Sequence, residues 1–136
     1  MEEIIIMRVC EPGKCNCNGV IYSKEEYDKA INDTRLTELM KNKLLISEFG
    51  HPKNADIVRQ LTFDFKNSAG IITKITDTSI SLLPKDESIS NIIKNNINNI
   101  KAEMRYIGKL NDNNDGTKTV TNLKIITFDL IQEGVN

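Results

Sequence analysis

Tryptophan is absent from this chain, and histidine occurs once, at position 51 of 136. A lone histidine excludes multi-histidine metal centres and the His-Glu-x-x-His zinc helix. No glycine-rich phosphate loop, Gly-x-Ser-x-Gly elbow or paired-carboxylate spacing occurs either, so the usual marks of nucleotide, hydrolase and glycosidase chemistry are missing. Neither sign of charge is in excess. Eighteen Lys and Arg against 19 Asp and Glu give a formal net charge of -1 and a pI of about 5.9. These charges are interspersed, which argues against a nucleic-acid-binding field or a polybasic membrane anchor. Apolar runs extend only a few residues, short of the roughly 20 needed to span a bilayer, and no basic start followed by an apolar stretch marks a signal peptide. What is present, 39% hydrophobic and 27% charged residues, is the composition of one soluble globular domain over residues 1–136.

The three cysteines sit close together in a turn-rich stretch, Cys10-Glu11-Pro12-Gly13-Lys14-Cys15-Asn16-Cys17. Together with His51 they supply the ligand types of a Cys3His zinc site, but the Cys-x4-Cys-x-Cys spacing lacks the usual Cys-x2-Cys knuckle. Reduced thiols and no metal or other cofactor are therefore expected.

His51 closes the run Leu44-Leu45-Ile46-Ser47-Glu48-Phe49-Gly50-His51-Pro52. This reads as a buried strand that stops abruptly and presents the imidazole at its rim, with Gly50 permitting a close turn and Pro52 fixing the backbone beyond it. A side chain that titrates near neutrality in such a place is the natural proton carrier of the chain.

Around it, Ile4–Val9 is an apolar strand candidate. Ser23 followed by Glu26 forms a capping box ahead of a helix over Lys24–Asp33, and Thr34–Lys43 reads as a second short helix or turn. The stretch 57–65 alternates in its second half, placing Leu61, Phe63 and Phe65 on one face of a strand and Thr62, Asp64 and Lys66 on the other. A second strand, Gly70–Thr78, follows through a hairpin, after which Ser79–Pro84 leaves the sheet. Isoleucines 89, 92, 93, 97 and 100 mark an amphipathic helix over 86–100. Two closing strands, Lys101–Leu110 and Val120–Ile131, flank an Asn- and Asp-rich hairpin turn that lacks the spacing of a calcium loop. These elements predict an α+β fold, a small and mostly antiparallel β-barrel of six or seven strands with packed helices.

Four features in order, Asn18-Gly19-Val20-Ile21-Tyr22, an alanine-containing helix, Glu48-Phe49-Gly50-His51-Pro52 and Ile125-Ile126-Thr127-Phe128-Asp129-Leu130-Ile131, resemble the prohead core proteases of tailed bacteriophages. The resemblance spans about residues 18 to 133 and implies the fold of herpesvirus assemblin. It also implies proteins that cleave scaffold and capsid proteins inside the immature head. Carried across, His51 falls on the family's general base, and Asp64 falls where a second histidine or an acid orients that base. Arg105 matches the arginine that follows the family's serine. The serine itself is replaced, since Glu103 or Met104 occupies its place.

A carboxylate is a poor acyl-transfer nucleophile, and its charge repels a developing oxyanion. The resemblance therefore implies a virion or head-assembly protein that no longer cleaves. Its expected partners are capsid, scaffold or portal proteins, with room for a homo-oligomer and no role for nucleic acid or membrane. Its place would be the immature head, assembled in the host cytoplasm. The alternative it leaves open is an active serine endopeptidase of prohead maturation with its nucleophile elsewhere.

Overall fold

A computed structural model of the chain describes residues 3–14, 19–52 and 56–132. Seven strands among them form two sheets. The first has the order β1-β5-β4-β3, built from β1 (Ile5–Arg8), β3 (Ile46–Glu48), β4 (Ser68–Ile75) and β5 (Ser79–Pro84), with antiparallel neighbours throughout. In the second, β7 (Lys118–Gln132) lies between β6 (Ile100–Asp112), its antiparallel hairpin partner, and the two-residue β2 (Val20–Ile21), which runs parallel to its start. The strand number and the antiparallel bias agree with the sequence expectation. Among the described residues, however, the sheets are not closed into a barrel.

Where they meet, β3 approaches β7 through a single parallel bridge, Phe49 to Leu130. Side-chain hydroxyls complete the junction: Ser47 Oγ donates to the Phe128 carbonyl at 2.7 Å and Thr127 Oγ1 to that of Ile46 at 2.6 Å. The two strands diverge too soon for a continuous ladder, and these hydroxyls satisfy carbonyls that would otherwise be buried without partners.

Three of the helices form where the sequence signals them. Ser23 caps α1 (Lys24–Ile31) by accepting from the Glu26 N–H at 3.0 Å, and Asp33 caps α2 (Thr34–Lys41). Tyr27 and Leu36 are carried fully into the core against Leu45, Ile72, Ile80, Leu82 and Phe128. Tyr27 also stacks on Tyr22 with ring centroids 5.5 Å apart, and its hydroxyl donates to the Thr76 carbonyl. Asp86 caps α4 (Glu87–Asn95), which buries Ile93 and is shorter than the 86–100 expected, because the chain re-enters a sheet at Ile100.

Two expectations are corrected. Ser79–Pro84 does not leave the sheet; as β5 it lies between β1 and β4 and buries Ile80 and Leu82. The stretch 57–65 is not a strand. Asp56 caps a single helical turn, α3 (Ile57–Gln60), and Asp64 caps a 3-10 turn over Phe65–Asn67. The alternation of Leu61, Phe63 and Phe65 fails as a guide because no sheet face receives it: Leu61 is 44% and Phe65 64% exposed. Each Asp instead finds a local N–H acceptor role, which competes with strand formation.

Candidate functional site

The strand β3 ends in a register shift between Ser47 and Glu48, and Gly50 takes φ +76°, a left-handed conformation open to glycine at little cost. That turn brings the Gly50 N–H to the Leu130 carbonyl at 2.8 Å, so the next residue, His51, lands beside Asp129 on β7. His51 Nδ1 lies 2.8 Å from Asp129 Oδ2. The imidazole is about one-third exposed and the carboxylate wholly buried. A carboxylate only accepts, so Nδ1 carries a proton, and in the neutral tautomer that this selects the lone pair lies on Nε2. Among the described residues, no hydroxyl or thiol hydrogen-bonds this ring.

Asp129 is held from several sides. Its Oδ1 accepts the Glu48 backbone N–H at 3.1 Å and Arg105 Nη2 at 3.3 Å, while Arg105 Nε lies 3.0 Å from Oδ2 in an ionic contact whose angle is poor for a hydrogen bond. Arg105, on β6 and 6% exposed, spends its remaining donors on Glu48 Oε2 at 2.9 Å and on the carbonyls of Gln60 and Thr62 at 3.1 and 3.0 Å. The Phe63 ring lies under the guanidinium at 5.7 Å. Both Nη groups of Arg105 are thus fully engaged, while its buried Nε–H makes no hydrogen bond and only the ionic contact with Asp129.

Glu48 is the second buried carboxylate of the cluster. Burial pushes its carboxyl up, but donors from Arg59, the Asp64 N–H, Asn67 and Arg105 outweigh that and hold it at about 2, against an ordinary 4.5. Arg59 supplies a two-pronged contact, Nη2 to Oε1 at 2.6 Å and Nη1 to Oε2 at 3.2 Å. Through Glu48 and Arg105, the segment 57–67 is fastened over the histidine–aspartate pair.

Of the residues singled out from sequence, His51 and Arg105 enter this cluster. Asp64 does not pair with His51. Its side chain is exposed and accepts the Lys66 N–H at 3.0 Å, its backbone N–H serves Glu48, and the place expected for it beside the imidazole belongs to Asp129. Glu103 is 7% exposed and stands directly across the β6–β7 ladder from Asp129. Alternation along β6 puts it on the same face as Arg105, whereas Met104 sits opposite Phe128 on the other face. Glu103 also contributes, after burial, to raising the Tyr106 hydroxyl.

Asp129, Glu48 and Arg59 escaped sequence reasoning as site residues. The two carboxylates carried a signal: a solitary acid within each of the apolar runs 44–49 and 125–131 must find donors once buried. Cys15 and Cys17 lie outside the described residues. Cys10 is half-buried, with Sγ 3.6 Å from the Lys14 carbonyl, and no cluster of three metal-binding side chains occurs among the described residues.

No protein-family model and no curated protein matches the chain. Among solved structures, the chain is similar to the bacteriophage T4 capsid assembly protease, gp21, with a TM-score of 0.65, 19% sequence identity, and coverage of 96% of this chain and 98% of that one. At that identity the likeness establishes a shared fold over nearly the whole length of both chains, the fold expected of a prohead protease.

Proposed function

We propose that this chain is a phage head-assembly protein of prohead-protease descent that has lost peptidase activity and acts by binding capsid, scaffold or portal proteins in the immature head. The observation that carries this reading is the state of the site. His51 and Asp129 keep the base-and-orienter half of a serine-protease triad, while a carboxylate, Glu103, stands across from Asp129 where the resemblance places a serine. A base without a hydroxyl to deprotonate forms no acyl-enzyme. A second anion beside the carbonyl opposes the charge of a tetrahedral intermediate, and the Nη groups of Arg105 are taken up by Glu48, Asp129 and two carbonyls.

The test is incubation of the purified chain with the scaffold, portal and capsid proteins encoded beside it. Retention of one of them on the chain with no new fragments supports the proposal. Cleavage that disappears in His51→Ala refutes it.

The intact His51–Asp129 pair favours one other reading, an active endopeptidase whose serine docks only when substrate is present. A fluorophosphonate probe separates the two, because covalent labelling of any serine identifies an enzyme.

A further inference from the structure

We propose that residues 56–66 form a strap, latched by the Arg59–Glu48 ion pair, that opens as one unit while both sheets stay folded and so governs access to the buried charges of Glu48 and Arg105. The segment is built with its apolar side outward. No residue from Asp56 to Lys66 is buried, and Ile57, Val58, Leu61 and Phe65 all stand in solvent. Phe63 packs in part against the core, beneath the Arg105 guanidinium. The inward side is polar. Arg59 places both prongs on Glu48, the Asp64 N–H adds a further donor at 3.2 Å, and the carbonyls of Gln60 and Thr62 accept from Arg105 Nη1.

Such a segment is cheap to lift. Water replaces its polar partners, and lifting it uncovers little apolar surface of its own beyond Phe63. Conformational freedom regained by the chain favours the open form, and elements with few buried apolar contacts open at the low end of the stability range. Opening also strands no charge, because Glu48 keeps Arg105 Nη2 at 2.9 Å and Asn67 Nδ2 at 3.3 Å. The far end stays fixed. The Phe49 N–H donates to the Asn67 carbonyl at 3.1 Å and Asn67 Nδ2 returns to the Phe49 carbonyl at 2.9 Å, which makes Asn67 the hinge. The strap would move in this way whether the site beneath it binds or cleaves, so its failure leaves the head-assembly reading untouched.

Two amides of the same cluster make the test: that of Asp64, bonded to Glu48 across the latch, and that of Phe49, bonded to Asn67 at the hinge. Hydrogen exchange of the 15N-labelled full chain is followed at low urea concentrations. Asp64 should show a protection factor at least about tenfold below that of Phe49, and one that does not depend on urea. Arg59→Met keeps the apolar stem and removes the latch; it should lower Asp64 protection by about fivefold more, while Phe49, Gly50 and Ile72 change by less than about twofold. Arg59→Lys, which keeps the charge without the fork, should fall between the two. The proposal is overturned if Asp64 and Phe49 share one protection factor and one urea slope in the native chain, a comparison that requires no variant to fold. It is equally overturned if Arg59→Met leaves Asp64 unchanged, or lowers the protection of all four amides alike.

Discussion

The carboxylates of Glu48 and Asp129 share one guanidinium nitrogen: Arg105 Nη2 lies 2.9 Å from the first and 3.3 Å from the second. Two acids from different sheets are thereby tied to a cation from a third strand, β6, and none of the three groups is appreciably exposed.

Removing that cation should be severe. Arg105→Met keeps the apolar stem but leaves two buried carboxylates without their shared counter-charge, a change expected to cost about 3–5 kcal/mol. Urea unfolding of the variant measures it, and a loss below about 1 kcal/mol would mean that the cluster does not exist as described.

Acid should loosen the same cluster. Glu48 holds its proton more weakly in the folded chain, at about 2, than the ordinary 4.5 of an unfolded glutamate. A depressed folded value contributes stability that is present above about 4.5 and lost as pH falls towards 2. After allowance for solvent screening the effect is of order 2 kcal/mol. The unfolding midpoint of the native chain should therefore fall between pH 5 and pH 2.5 more steeply than that of Glu48→Gln.

Asp129 should dictate which ring nitrogen of His51 bears hydrogen. In the native chain, 15N spectra of the neutral imidazole are expected to show protonated Nδ1 and unprotonated Nε2. Asp129→Asn offers an amide donor to Nδ1 and should move the balance toward Nε2–H. Identical nitrogen shifts in both proteins would contradict the 2.8 Å contact.

Supplying a hydroxyl should not by itself create a peptidase. Glu103→Ser places an alcohol across from Asp129, but the Nη groups of Arg105 remain committed to Glu48, Asp129 and two carbonyls. Scaffold cleavage by this variant is expected to stay at background, and any labelling by a fluorophosphonate probe to remain slow.

The sequence revealed α1, α2 and α4 and the strands with long apolar runs, because Ser23, Asp86 and the β6–β7 stretch each act through near neighbours. It misled at Ser79–Pro84, where only the company of β1 and β4 makes a strand of a short segment. It misled again at 57–65, where the alternation was real but Glu48, distant in sequence, collects Arg59 and the Asp64 N–H and bends the segment into turns. His51 stood out as a lone residue type in a stiff setting. Its partner did not: Asp64 and Asp129 are equivalent in kind, and only the bridge from Phe49 to Leu130 decides between them.

The long β6–β7 hairpin also bears on how the molecule comes together. Its ladder closes from a turn in which the Asn113 N–H meets the Thr117 carbonyl, so it can zip up through local contacts alone. The histidine and its aspartate are 78 positions apart, and joining them requires β3 to find β7 after that ribbon exists. Protection of hairpin amides such as Met104 and Phe128 should accordingly precede that of Glu48 and Gly50 in pulsed hydrogen exchange during refolding. The charged cluster is then the part of the molecule finished last, and the part first undone when the two sheets part.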